Sequence, residues 1–306
     1  MINRVMFIGS KKLGLRALQR LYEMDSSKLC GVITFDDGND ERSKLDEFIE
    51  YCKKENIELF IIKKNSELID IIKNNKPELC MVICWYWIIA NEVLELVPKG
   101  FLGIHASLLP KYRGNAPLVW AMINGEKKSG ISLFYLNTEM DEGNIVGQLE
   151  FEIEDDDSIK EVLEKVESLS IDILSKYYPQ VIEGTAISIP QNHLNASYCA
   201  KRCEFDGKIN WNLENRRIYN FIRAQTKPYP GAYTYFNDNK KMYILEAEVF
   251  PYEYYGTAGL VAQVTNNKVV VTCGKGALIL KKVQIDGEII EDVKKVLKFG
   301  DRLKWI

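Results

Sequence analysis

Through its first half the chain alternates short apolar runs with stretches of helical period. Residues 5–9 read as a strand, and Leu13, Leu15, Leu18 and Leu21 mark one face of the helix that follows. Residues 30–34 form a second strand, Leu45–Lys54 a helix, Leu59–Ile62 a strand and residues 68–73 a helix. Leu79–Ile83 shows no polar alternation, as expected of a strand covered on both faces. Residues 91–97 predict a helix stopped by Pro98, and residues 101–104 a strand that delivers His105. The β-α-β alternation predicts an α/β fold with a parallel, doubly wound sheet and right-handed crossovers. Such sheets bind ligands outside the carboxyl ends of their strands, where His105 falls.

The second half has a different texture. After an acidic loop at 152–157, residues 159–178 read as one long helix. A short helix at 217–224 follows, and then the period changes to two at 232–235, 242–247, 268–272 and 277–281. The turn signals Asn237-Asp238-Asn239, Asn266-Asn267 and Asp286-Gly287 separate these strands. The pattern predicts a smaller antiparallel β domain of Greek-key barrel type at 201–306, behind a first domain at 1–200.

With 306 residues the chain is too long for one ordinary domain and fits two. Its 46% hydrophobic and 27% charged residues match a soluble globular protein. The longest apolar run, 80–90, is strand-sized and far short of a membrane helix, and no signal peptide opens the chain. A cytoplasmic location without membrane attachment is therefore expected. Two cysteine pairs, Cys80/Cys84 and Cys199/Cys203, lack a nearby histidine, so reduced structural thiols and no metal are expected. A net charge of −3 and short basic clusters argue against a large nucleic-acid partner. Gly9-Ser10-Lys11-Lys12-Leu13-Gly14 follows the first strand without the dinucleotide glycine pattern and reads as a tight turn.

The most informative stretch is Gly103-Ile104-His105-Ala106-Ser107-Leu108-Leu109-Pro110-Lys111-Tyr112-Arg113-Gly114-Asn115-Ala116-Pro117. A strand ends at a histidine, a Ser-Leu-Leu-Pro loop and a basic turn follow, and Pro117 opens a helix. Downstream, a strand at 132–136 leads to Met140-Asp141-Glu142-Gly143-Asn144. A histidine with a carboxylate partner is the minimum for acid–base work near neutral pH. Taken alone, that pair reads more readily as a core histidine than as a catalytic one.

This stretch resembles the signature of the formyltransferases that use 10-formyltetrahydrofolate: Asn-x-His-x-Ser-Leu-Leu-Pro, a Tyr-Arg-Gly loop and a downstream Asp-x-Gly turn. The segment Arg223-Ala224-Gln225-Thr226-Lys227-Pro228-Tyr229-Pro230-Gly231-Ala232 is similar to the opening of the family's C-terminal barrel. The resemblance implies a Rossmann-like catalytic domain, an OB-like barrel and 10-formyltetrahydrofolate as co-substrate. It implies that an amine attacks the formyl carbon, that His105 stabilises the resulting oxyanion or shuttles the amine's proton, and that Asp141 holds the imidazole. It assigns the folate to Trp87, Ile88, Ile89, Ser107, Leu108, Tyr135 and Asp141.

One position departs from the family. Gly103 stands where the asparagine that donates to the formyl oxygen is expected. Losing one such donor costs on the order of 10²–10³ in rate. Three explanations stay open: substitution by Asn115, Ser107 or a water; a slow enzyme; or an impaired relative that binds its ligands without turnover.

Within the family, the run from Lys111 to Glu126 is similar to enzymes that formylate UDP- or dTDP-linked amino sugars for lipopolysaccharide and other surface glycans. This places a nucleotide sugar at Lys111, Tyr112, Arg113, Gly114 and Asn115, with Lys201, Arg202 and Tyr229 as weaker candidates. Methionyl-tRNA formyltransferase, the alternative, carries a basic insertion where this chain has the mostly acidic stretch 35–44. A homodimer is left open.

Overall fold

The computed structural model describes residues 1–38, 40–237, 240–265 and 268–304. The chain divides into two compact units. The first comprises Met1–Gly114, Gly130–Phe151 and Lys165–Tyr198; the second comprises Asn115–Ser129, Glu152–Glu164 and Cys199–Ile306.

In chain order the first half runs β1 (Val5–Gly9), α1 (Lys11–Asp25), β2 (Leu29–Phe35), α2 (Leu45–Lys54), β3 (Leu59–Ile62), α3 (Leu68–Asn75), β4 (Leu79–Ile83), α4 (Asn91–Leu94) and β5 (Phe101–His105). Then come β6 (Arg113–Gly114), α5 (Pro117–Ile123), β7 (Lys128–Leu136), β8 (Ile145–Glu152), α6 (Ile159–Glu183) and β9 (Tyr198–Cys199). The α4 helix ends at Leu94, short of the expected 97, and the chain continues in tighter turns in which Leu96 N–H donates to Val93 O and Val97 N–H to Leu94 O. The α6 helix instead runs through Pro179 to Glu183, past the expected 178.

The first unit is built on a seven-stranded sheet of order β3-β2-β1-β4-β5-β7-β8. The pairings from β3 through β5 are parallel, and every residue of β1 and β4 is buried, which explains their unbroken apolar runs. The expected parallel sheet runs from β3 to β5, and β7 extends it antiparallel to β5. His105 and Ser132 are register partners at the carboxyl end of β5.

In the second unit, α7 (Asn215–Arg223) precedes β10 (Ala232–Phe236), β11 (Lys240–Val249), β12 (Val261–Val264), β13 (Val269–Thr272), β14 (Ala277–Ile285) and β15 (Glu288–Ile290). The antiparallel sheet has the order β10-β11-β14-β13-β12, with β15 added to β14. Bridges from Lys304 to Tyr235 and from Arg302 to Leu260 tie the C-terminal segment to both ends of that path. Ile218 and Ile222 of α7 enter its core beside Trp211, whose indole N–H donates to Thr234 Oγ1 at 3.0 Å. Asp286-Gly287 forms a two-residue hairpin loop in which both residues have positive φ, the geometry that favours Asp-Gly. Asp238-Asn239 and Asn266-Asn267 lie outside the described residues. Among the described residues, no helix is long and apolar enough to cross a membrane.

Candidate active site

Strand β5 ends at His105, whose ring is almost fully buried. Nε2 lies 2.7 Å from the carbonyl oxygen of Tyr112. A carbonyl can only accept, so the neighbours assign a proton to Nε2 and leave Nδ1 as the lone-pair nitrogen of the neutral ring. Nδ1 is 3.6 Å from Asp141 Oδ2. The nitrogen and the carboxylate thus face one another at ion-pair range, just beyond hydrogen-bond distance. Tyr112 is held at φ 58 to present its carbonyl, and Asp141 sits at φ 55. Left-handed conformations cost a side-chain-bearing residue roughly 1–2 kcal/mol, so the surroundings must hold both.

What holds the Asp141 turn is visible around it. Asp141 Oδ2 accepts the backbone N–H of Gly114 at 2.7 Å. Gln191 Nε2 donates to the carbonyls of Asp141 and Gly143, each at 2.8 Å. Gly143 passes so close to β7 that a Cβ there would stand 1.7 Å from Tyr135 O, which excludes every other residue. Glu142 Oε1 accepts from Arg113 at 2.7 Å and from the Tyr198 hydroxyl at 2.6 Å. The Tyr198 hydroxyl, followed by Arg113 and His193, holds the Glu142 carboxyl below its usual range.

Of the residues expected to meet a nucleotide sugar, Lys111 is exposed and Tyr112 half-buried. Arg113 is 0% exposed, and its guanidinium binds Glu142, Gln191 and Tyr198. Gly114 gives its N–H to Asp141, and the exposed Asn115 lies in the second unit and donates its N–H to Cys199 O. Arg202 lies over Trp120 and donates to Gln225, and Lys201 is exposed.

Of the folate residues, Ser107 is buried and its hydroxyl donates to Lys111 O at 2.6 Å, closing the Ser-Leu-Leu-Pro loop. Leu108 packs beside Gly130. Tyr135 is half-buried, and burial raises its phenol. At the carboxyl end of β4, Trp87 stacks obliquely on Phe35 and meets Trp85 edge-on, and Ile89 belongs to the core. Ile88 is 79% exposed, with its carbonyl taken by Asn65 Nδ2 at 2.7 Å. Gly103, mid-strand between Val82 and Phe134, offers no donor, and the space a side chain would need is occupied by Leu136.

The stretch after β2 is tethered rather than free. Lys11 bonds Asp37 and Asp40 at 2.5 and 2.8 Å, and Tyr86 donates to Asp40 at 3.3 Å. Arg42 and Lys11 hold the Asp40 carboxyl well below the usual carboxylate range. Sequence reasoning assigned no role to Lys11, Gln191 or Tyr198. No motif marks them, and only folding brings Gln191 and Tyr198 to the Asp141 turn.

A strand-end histidine faces a carboxylate on a mixed α/β sheet, an arrangement suited to acid–base chemistry, and an antiparallel β unit follows. Residues 4–181 match the family described as formyl transferase, and residues 204–299 match formyl transferase, C-terminal domain. The chain belongs to the formyl transferase family, whose members move formyl groups between substrates. It is 32% identical to methionyl-tRNA formyltransferase of Acetivibrio thermocellus over 289 residues, 92% of each chain. It is 35% identical to the Alkaliphilus metalliredigens enzyme of the same name over 234 residues, 76% of this chain and 74% of that one. Among solved structures, an N-formyltransferase from Helicobacter canadensis, in complex with folinic acid and dTDP-3-aminofucose, superposes with a TM-score of 0.68 at 21% identity, covering 92% of this chain and 99% of that one.

Proposed function

We propose that the chain transfers a formyl group from 10-formyltetrahydrofolate to the amino group of a nucleotide-linked amino sugar, a UDP- or dTDP-4-amino sugar. The observation that carries amine formylation is the 3.6 Å gap between His105 Nδ1 and Asp141 Oδ2. An attacking amine must lose a proton, and the departing nitrogen must gain one. His105 accepts the first proton at Nδ1 while its Nε2–H stays on Tyr112 O, so the charged ring has an acceptor at each nitrogen. Asp141 balances that charge, and Nδ1 then gives the proton up to the departing nitrogen. The bound folate supplies the formyl carbon as electrophile. The residues beyond β4 suit a flat reduced pterin, because Ile88 is a large apolar side chain left open beside half-buried Trp87. Ser107 is not a substitute for the missing asparagine, since its hydroxyl proton is used within its own loop.

The acceptor rests on the loop after β2. Its described residues include Asp36, Asp37, Asp40 and Glu41, which favour a small substrate over a polyphosphate backbone. The Helicobacter canadensis enzyme with its bound dTDP-3-aminofucose supports a nucleotide-linked amino sugar, with the amine there at C3 rather than C4. Arg113 is spent on Glu142, which leaves Lys111 and Tyr112 as the groups proposed to meet the nucleotide sugar. Formylation of methionyl-tRNA is the second reading, favoured by the relative of that name that matches over 92% of both chains.

The test is tetrahydrofolate release from 10-formyltetrahydrofolate in the presence of a panel of UDP-, dTDP- and GDP-linked amino sugars. Turnover with one of them, lost in His105→Ala, is expected. Turnover with charged methionyl-tRNA alone would replace the acceptor and keep the proton path. Folate binding without turnover of any acceptor would identify an impaired relative.

A further inference from the structure

Arg113 is an arginine with no access to solvent, in a loop where a basic residue is expected to meet phosphate. Its guanidinium instead makes a complete set of internal contacts. Nε and Nη2 donate to Gln191 Oε1 at 3.1 and 2.7 Å, and Nη1 donates to Glu142 Oε1 at 2.7 Å and to the Tyr198 hydroxyl at 2.8 Å. Both acceptor side chains lead to the same short turn. Glu142 is its middle residue, and Gln191 turns its amide N–H groups onto the carbonyls on either side, those of Asp141 and Gly143. Three consecutive residues are thereby gripped, and the first is the left-handed Asp141, whose carboxylate stands 3.6 Å from His105 Nδ1.

We propose that Arg113 is a positioning residue: through Gln191 and Glu142 it fixes the backbone of Asp141 so that the carboxylate stays opposite His105. The inference rests on the roles proposed above for His105 and Asp141. The geometry requires a planar fork. A lysine offers its three donors from one nitrogen and lacks the fork that reaches Gln191 from Nε and Nη2 and Glu142 from Nη1. Removing the fork frees Glu142 and Gln191 to turn away, and the strained Asp141 backbone relaxes. A displacement of about 1 Å at a catalytic group costs on the order of 10²-fold in rate.

The experiment reads the His105–Asp141 contact directly, so it stays decisive if the acceptor has been misassigned. The chain has only two histidines, and ring ¹⁵N signals of histidine-labelled protein are assigned with a His193→Gln variant. Asp141→Asn provides the reference spectrum for His105 without its carboxylate. In Arg113→Lys, the His105 ring signals are expected to move toward that reference while the protein stays folded. If Arg113→Lys does not fold, Gln191→Leu removes the two carbonyl contacts and carries the same expectation. His105 signals that remain at the wild-type position in a folded variant overturn the proposal. With an active acceptor in hand, kcat is expected to fall about 10- to 100-fold with little change in KM. A raised acceptor KM at unchanged kcat would make Arg113 a substrate ligand and would equally overturn it.

Discussion

His105 Nε2 is locked 2.7 Å from the carbonyl of Tyr112, which leaves Nδ1 as the nitrogen that faces Asp141. The two nitrogens therefore do different work, and substitutions can separate them. In His105→Gln the carboxamide reaches the Nε2 position and keeps a donor for Tyr112 O, but nothing replaces the basic nitrogen at Nδ1. We expect the fold and thermal midpoint to be retained while kcat falls by about 10²–10⁴, the range for loss of a general base. Steady-state kinetics beside a melting curve checks this. Retained kcat would mean that Nδ1 moves no proton.

Asp141→Asn tests the other side of the gap. Asparagine tolerates φ 55, and its carbonyl oxygen still accepts the Gly114 N–H, so stability should change by less than about 1 kcal/mol. The negative charge opposite Nδ1 is lost, and kcat should drop by about 10²-fold or more with folate binding retained. Chemical denaturation and single-turnover kinetics on the same preparation separate the two effects. A large loss of stability would show that the carboxylate serves the fold instead.

Much of this architecture was legible from periodicity. The bounds of β3, β4 and α2 coincide with the expected ones, although at β4 the apolar run continues past Ile83 to residue 90. Strand β8 was not foreseen, since Gly147 and Gln148 interrupt its alternation. The direction of β7 was hidden as well, because periodicity marks a strand's residues and not the direction of its partner. At the site, the motif named His105 and Asp141 but gave no hint that Nε2 was committed to Tyr112. Arg113 read as a residue that meets the nucleotide sugar. Its burial depends on Glu142, Gln191 and Tyr198, which are separated from it in sequence and brought close only by folding.

The loop after β2 should be sensitive to acid. Asp40 has its carboxyl lowered by Arg42 and Lys11, so the folded state binds its proton less readily than the unfolded chain does. The stabilising contribution is then fully present above the ordinary carboxylate value near 4 and is lost as pH falls below it. Wild type and Asp40→Asn should differ in denaturation midpoint at pH 6, and the difference should shrink as pH approaches 2. A difference independent of pH would mean that the Lys11 and Arg42 contacts do not act through the charge.

Gly103 makes the sharpest prediction. Residues 103 and 105 point to the same face of β5, so an asparagine at 103 would lie beside the His105 ring. A Cβ added there meets Leu136 Cδ1 at 2.7 Å and Val82 O at 3.3 Å. The first contact is with the end of a flexible side chain and the second with fixed backbone, so Leu136 is the part that must give way. Gly103→Asn alone should therefore lower stability by about 1–3 kcal/mol and deliver its carboxamide poorly. Gly103→Asn combined with Leu136→Ala opens that volume, and kcat should rise well above that of Leu136→Ala alone, toward the 10²–10³ that one oxyanion donor is worth. The comparison needs four proteins assayed together, including Leu136→Ala as the control for lost packing. If the double variant gains nothing over that control while wild type turns over, the oxyanion is already served by another group, and Gly103 is a settled feature of this site.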